Sequence, residues 1–355
     1  MTINFIMNSI SDAHSNKRIK DFEEQGFNAR IFGFERNVSS QYRSDISILG
    51  NFANSSQYYK RIKIYINGIR KAFKTASKNE DLWFYQGLDT ALFAVIFGKK
   101  RKYIYEECDM VHTNIKNCII RYIFEKLDKY IIKNSYKTIV TSEGFLMYHY
   151  KDTKTPKNVV LLPNKLSPKV RACKFAREND FNPSHIKFAF VGALKHPSIN
   201  NIARVISCNF PNHEFHFYGY IAQTINKKEL PQGENIYYHG EFHSPEDLPK
   251  IYSEIDIVIA TYDITGINAR FAEPNKFYES IYFRIPLVVS KETFLEKKVR
   301  NFKIGYSVNA YDEEDVKKLV KNVERTYLKT KEAISKIPQD YAIDNYNVND
   351  LFNDK

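Results

Sequence analysis

Phosphate-binding glycine motifs are missing from this 355-residue chain: none of its 13 glycines lies two positions from another, and none precedes Lys-Ser or Lys-Thr. That excludes the G-x-G-x-x-G dinucleotide fingerprint and the P-loop. No two aspartates stand two apart, so the short acidic motif that holds a metal–diphosphate pair is missing as well. The four cysteines, Cys108, Cys118, Cys173 and Cys208, form no Cys-x-x-Cys pair and accompany no paired histidine spacing. They argue against structural zinc or a disulfide framework and for a reducing compartment. The longest apolar run, Ala91–Phe97, is far shorter than the ~18 residues of a membrane span. Met1–Asn8 has neither a basic leader nor a cleavage site, so the expectation is a cytoplasmic protein. Internal repeats and low-complexity tracts are absent too.

What is present is a globular composition, 43% apolar and 15% aromatic, on a chain long enough for two cores. Its charge is lopsided. Residues 1–165 hold 27 Lys and Arg against 16 Asp and Glu, whereas 166–355 hold 26 against 25. A basic first half implies an anionic partner, nucleic acid or a membrane surface. The helix expected over about 56–76 puts Tyr58, Tyr59, Ile62, Tyr65, Ile66, Ile69 and Phe73 on one face and Lys60, Lys63, Asn67, Lys71 and Lys74 on the other. Tyrosines on the apolar face are no stacking platform for bases, so nucleic acid is not expected. The basic face and Lys99-Lys100-Arg101-Lys102 instead suit an anionic membrane surface, where each basic residue adds about 1 kcal/mol.

Apolar runs of strand length alternate with helical periodicity, which predicts α/β architecture with mainly parallel sheets covered on both faces. Strands are expected at 2–7, 27–34, 82–85, 103–105, 137–141 and 159–162. Helices are expected between them, with Asp89 as N-cap of a helix at 90–97. A polar stretch at 167–182 reads as a linker, after which the alternation restarts with strands at 187–191, 214–218, 235–239, 256–260 and 286–289. Gly192, Gly219 and Gly240 each close a strand, where a ligand can approach the backbone, and open parallel sheets bind ligands at those carboxyl ends. The expected divisions are 1–165, 166–338 and a terminal segment 339–355 carrying a short helix.

The segment Ala272-Glu273-Pro274-Asn275-Lys276-Phe277-Tyr278-Glu279 reads as a loop and then a helix with Pro274 at its first position. Free N–H groups near Asn275 and Lys276 would face an anion at the positive end of the helix dipole. Glu279, one turn in, could accept hydroxyls beside it. A diphosphate with a ribose attached has that layout. The segment resembles the donor-binding motif of GT-B glycosyltransferases, in the branch that writes it Glu-Pro-Asn-Lys-x-x-Glu. The resemblance implies two Rossmann-like domains facing across a cleft, a nucleotide-sugar donor on the C-terminal one, and a terminal helix that crosses back to the first domain.

By the same resemblance, Phe190-Val191-Gly192-Ala193-Leu194-Lys195 is the strand and loop that begin the donor domain. Ala193 stands where the family often has an arginine, which leaves Lys195, Arg270 and Lys276 to meet the phosphates and Asp263 and Asn268 to meet the sugar. Glu279 matches the ribose-holding glutamate of the family's E-x7-E pattern. Phe271 occupies the place of the first glutamate, which the resemblance places beside the sugar as a catalytic group, so Glu273, displaced from that place, is the catalytic candidate there. In the first half, Tyr103–His112 resembles the strand end beneath the donor sugar, offering Glu106, Glu107, Asp109 and His112 as catalytic or acceptor contacts; Ser11–Arg18 resembles the loop that approaches the acceptor. The implied activity is metal-independent sugar transfer, without a cofactor, to a lipid-linked oligosaccharide of a capsule, exopolysaccharide or lipopolysaccharide. Its place would be the inner face of the cell membrane, held there peripherally. A nucleotide-sugar 2-epimerase or a non-catalytic binding protein of the same fold are the alternatives.

Overall fold

A computed structural model describes residues 1–36, 43–53, 58–76, 82–98, 101–151, 153–173, 175, 181–222 and 226–353. The described chain divides into two compact units, 1–163 with 346–355 and 164–345. Lys99 and Lys100 lie outside the described residues.

The first unit is a seven-stranded sheet in the order β3-β2-β1-β4-β5-β6-β7, parallel throughout. Its elements run β1 (Thr2–Met7), α1 (Ala13–Glu24), β2 (Asn28–Glu35), β3 (Ser47–Asn51), α2 (Tyr58–Thr75), β4 (Leu82–Gln86), α3 (Leu88–Phe97), β5 (Tyr103–Glu107), α4 (Cys118–Asn134), β6 (Lys137–Val140), α5 (Glu143–Tyr150) and β7 (Val159–Leu161). Two apolar cores cover its faces, one built on Phe5, Ile19 and Phe22 and the other on Tyr65, Trp83 and Tyr105. Central strands buried on both faces become continuous hydrophobic runs, and β4, Leu-Trp-Phe-Tyr-Gln, is buried from end to end. Asp89 is not the cap of α3. Gly87 takes that place with φ +82°, and Asp89 lies in the first turn. Tyr59 also departs from the expected apolar face and is 64% exposed, while Lys60, Lys63, Asn67, Lys71 and Lys74 form the exposed back.

The second unit is a six-stranded parallel sheet in the order β10-β9-β8-β11-β12-β13. It contains β8 (Lys187–Val191), α6 (Pro197–Asn209), β9 (Glu214–Tyr218), β10 (Ile236–Gly240), α7 (Leu248–Glu254), β11 (Ile257–Ala260), α8 (Ile267–Phe271), α9 (Asn275–Phe283), β12 (Leu287–Ser290), α10 (Phe294–Phe302), β13 (Gly305–Val308) and α11 (Glu313–Ser335). Strand order reverses between β8 and β11, and such a switch point opens a crevice at the carboxyl ends of the strands. The terminal segment is not the expected helix. It forms two short 3-10 turns, Gln339–Ala342 and Val348–Leu351, and Val348 and Leu351 complete the first unit's core.

Candidate functional site

At the switch point of the second unit the strand ends interlock. The Gly192 N–H donates to the carbonyl of Tyr218 at 2.7 Å and the Gly219 N–H to that of Gly240 at 2.6 Å. A β-carbon on Gly219 would stand 2.0 Å from the Gly192 carbonyl oxygen, and Gly219 has φ +131°, so this position requires glycine. A β-carbon on Gly192 would stand 3.2 Å from Nζ of Lys276. The ammonium of Lys276 therefore lies against the end of β8, with the Phe190 ring centre 5.5 Å away. Burial pushes its pKa down and the charge of Lys195 adds to that, while Glu279 opposes both. Lys195 itself is exposed. Gly192, Lys195, Lys276 and Glu279 are thereby brought together.

The motif helix begins one residue later than the sequence suggests. Pro274 is the N-cap, in extended conformation (φ −76°, ψ 156°), and Asn275 is the first helical residue. Among the described residues no side chain caps this end, so its leading N–H groups, which lack intrahelical acceptors, carry the positive end of the dipole. Glu279 is 6% exposed and accepts a 2.5 Å hydrogen bond from the hydroxyl of Tyr252 on α7. Burial and the Glu279 carboxylate hold that phenol far above its ordinary pKa. Tyr252 is a residue the sequence reading missed, because it stands 27 positions away with no local pattern linking the two.

Glu273 is closed off rather than presented to a sugar. It is buried and accepts hydrogen bonds from the Tyr278 hydroxyl and, at 2.7 Å, from Nζ of Lys298 on α10. A carboxylate committed to a buried ion pair secures the motif loop and is not a free nucleophile. Arg270, on α8, is exposed, and its Nε donates to the carbonyl of Ile264 at 2.9 Å, folding it back on its own loop. Asn268 is half-buried on the same helix and Asn275 is exposed. Gly240, with φ +82°, faces open space. Beside these, Asp263 receives the Tyr311 hydroxyl and lies 3.4 Å from Nδ1 of His196. Tyr311 also borders a cavity of about 210 Å³ with Ser198, Tyr262 and Ser290, at the ends of β11, β12 and β13. His196 and Tyr311 went unnoticed in the sequence, since only the fold brings their loops to Asp263. A groove of about 830 Å³ between α10, β13 and α11 is lined by Arg300, Lys303, Lys318, Lys321, Arg325 and Lys329, and by none of the expected donor residues.

In the first unit, β5 ends on two buried glutamates. Successive strand residues point to opposite faces of a sheet, and the two meet different helices. Glu106 meets α1: Nε2 of His14 lies 3.0 Å and Nε of Arg18 2.9 Å from Oε1. Burial alone would raise its pKa, but Arg18 and His14 outweigh it and hold the carboxyl at about 2. Glu107 meets α5, with Nε2 of His149 3.0 Å from both carboxylate oxygens. His112 is buried, and Asp109 is exposed. Glu106, Glu107 and His112 are thus buried side chains at the end of β5, and Asp109 is the exposed one of the four expected residues. The expected loop 11–18 is mostly helix, since α1 already begins at Ala13; Asp12 caps it by accepting the Ser15 N–H at 2.8 Å.

No protein-family model matches the chain, and no curated protein does. Solved structures match over both units. Sucrose-phosphate synthase from Thermosynechococcus elongatus is 11% identical, with 96% of each chain covered and a TM-score of 0.69. HepE of Anabaena, in complex with UDP and glucose, is 12% identical over 97% of this chain and 96% of its own, with a TM-score of 0.68. WaaG, a glycosyltransferase involved in lipopolysaccharide biosynthesis, is 12% identical over 98% and 97%, with a TM-score of 0.63. At such low identity the likeness establishes the fold: this chain has the GT-B fold, two Rossmann-like α/β units.

Proposed function

We propose that this chain is a glycosyltransferase that takes its sugar from a nucleotide-sugar bound by the second unit. The observation that carries the reading is the grouping of Lys276 at Gly192, the uncapped start of α9 and Glu279 one turn behind. Lys276 and the helix N-terminus meet the diphosphate, a charge-assisted contact of the kind that favours phosphate. Glu279 accepts from the ribose hydroxyls, and Lys195, Asn275, Asn268 and Arg270 border the donor. These cationic groups neutralise the phosphates, so transfer needs no metal at the diphosphate and no cofactor. The neighbour HepE is described in complexes with UDP and with UDP-glucose, which makes uridine nucleotides the first donors to try.

The first unit holds the acceptor, a lipid-linked oligosaccharide on its way to a capsule, exopolysaccharide or lipopolysaccharide, at the inner face of a cell membrane. Two surface features support this. The basic back of α2 is exposed, and α4 exposes Ile119, Ile120, Tyr122 and Ile123 beside Lys116, Arg121 and Lys126. Apolar side chains set among cations match an anionic lipid surface. Among the described residues no helix is long and apolar enough to cross a membrane, so binding would be peripheral. The test is turnover: nucleoside diphosphate released from a panel of nucleotide-sugars, with and without lipid-linked acceptor extract. Acceptor-dependent release supports the reading. A 2-position isomer formed from donor alone would replace transfer by epimerisation.

A further inference from the structure

The two glutamates that end β5 are balanced very differently. Glu106 has a guanidinium beside it. Glu107, 0% exposed, and Asp128 of α4, 1% exposed, lie against each other, and their other side-chain partners among the described residues are His149, His112 and Tyr105, none of them a lysine or arginine. Two carboxylates withdrawn from water without a cation are costly to bury. Between them lies His112, whose Nδ1 is 3.4 Å from Oδ2 of Asp128. Neither ring nitrogen of His112 makes a hydrogen bond among the described residues, and Oδ2 of Asp128 meets the geometry of none. One ligand atom from each of Glu107, His112 and Asp128 lies within 4.8 Å of the other two.

We propose that Glu107, His112 and Asp128 bind a divalent transition-metal ion, zinc or manganese, inside the first unit. One imidazole and two carboxylates form a mixed nitrogen–oxygen donor set suited to those ions, and the charges of two carboxylates and a dication cancel. Further groups are arranged as metal sites need them. His149 fixes the Glu107 carboxylate through both oxygens. The Tyr105 hydroxyl donates to Oδ1 of Asp128 at 3.0 Å, turning Oδ2 toward His112; such outer hydrogen bonds orient ligands and strengthen binding. The ion would tie the strand β5, the turn Val111–Asn114 and α4 together, a structural duty separate from donor chemistry in the second unit. A neighbouring trio, His14, Glu106 and Cys108, has similar spacing, but Arg18 already supplies its positive charge. Cysteine and paired-histidine spacing gave no hint of the site, because it uses one histidine and two carboxylates from three separate elements.

The experiment is elemental analysis of the full chain, purified without a polyhistidine tag or chelator, followed by titration of chelator-treated protein with zinc and with manganese while its melting temperature is read. The proposal expects about one equivalent of metal per chain and a rise in melting temperature when one of the ions is returned. Tyr105→Phe, which keeps the volume of a core ring, should fold and weaken metal affinity by roughly 10-fold or more, and His112→Gln should abolish the shift. If His112→Gln does not fold, the wild-type titration and Tyr105→Phe decide. Less than about 0.1 equivalent of metal with no thermal response to either ion overturns the proposal. So does an ion held with wild-type affinity by both variants, since it would sit elsewhere.

Discussion

Replacing Lys276 with methionine separates what its ammonium does for the fold from what it does for a ligand. In the free protein the charge is pressed against Gly192 and Phe190, and burial lowers its pKa, so the fold gains little from it. Methionine is unbranched and fills much the same space. Ligand-free stability should therefore stay within about 0.5 kcal/mol of wild type. Binding should not. A charge-assisted hydrogen bond to phosphate contributes about 1.5–3 kcal/mol, which is about 10- to 150-fold in affinity. In a thermal-shift assay with nucleoside diphosphate at 100 times the wild-type dissociation constant, wild type gains about 2.7 kcal/mol. A variant weakened 30-fold gains only about 0.9 kcal/mol at that concentration. An affinity in Lys276→Met within about 2-fold of wild type would refute the placement of phosphate at Gly192, since 2-fold is under ~0.5 kcal/mol.

Gly219→Ala would drive a β-carbon to 2.0 Å from the Gly192 carbonyl oxygen at φ +131°, and urea melts should show a loss of at least about 3 kcal/mol. Asp315 accepts the Asn309 N–H and Nζ of Lys291, both at 2.7 Å; burial raises its pKa, and these contacts more than reverse that, leaving it low. Its stabilisation is present above the unfolded carboxyl's pKa and disappears as pH falls through the lower folded value. Asp315→Asn should thus cost about 1 kcal/mol near pH 7 and progressively less in acid, read by urea melts across the range. Ile119→Asp with Ile123→Asp, at 68% and 50% exposed positions, should leave the melting temperature unchanged and reduce binding to anionic lipid vesicles about 10-fold or more.

Local pattern made part of this legible. The alternation of apolar runs with helical periodicity gave two parallel sheets because strands covered on both faces must be apolar, and glycines 192, 219 and 240 marked real strand ends. Pro274 announced a helix start from one position before the expected one, since a fixed φ serves a cap as well as a first turn. β3 is five residues, Ser-Ile-Leu-Gly-Asn, too short and too polar to signal a strand alone. Of the elements after β12, α10 and β13 are short, but α11 at 23 residues is not, and its apolar positions Val316, Leu319, Val320, Val323 and Tyr327 carried a helical signal that went unread. Side-chain partnerships were the least legible. Glu279 with Tyr252, Glu273 with Lys298, and Glu106 with Arg18 are 27, 25 and 88 positions apart. Only the folded chain shows that Glu106, Glu107, His112 and Glu273 are buried, and that Glu106 and Glu273 already face Arg18 and Lys298.

The most direct test of the account is the dissociation constant of UDP and other nucleoside diphosphates for wild type and for Glu279→Gln, which keeps an acceptor for the Tyr252 hydroxyl and so preserves the fold. The account predicts that one nucleotide binds wild type and binds the Gln variant about 10-fold or more weakly, because a charged acceptor for the ribose hydroxyls is lost. Equal affinity in the two proteins, or no binding of any nucleoside diphosphate to wild type, would contradict it.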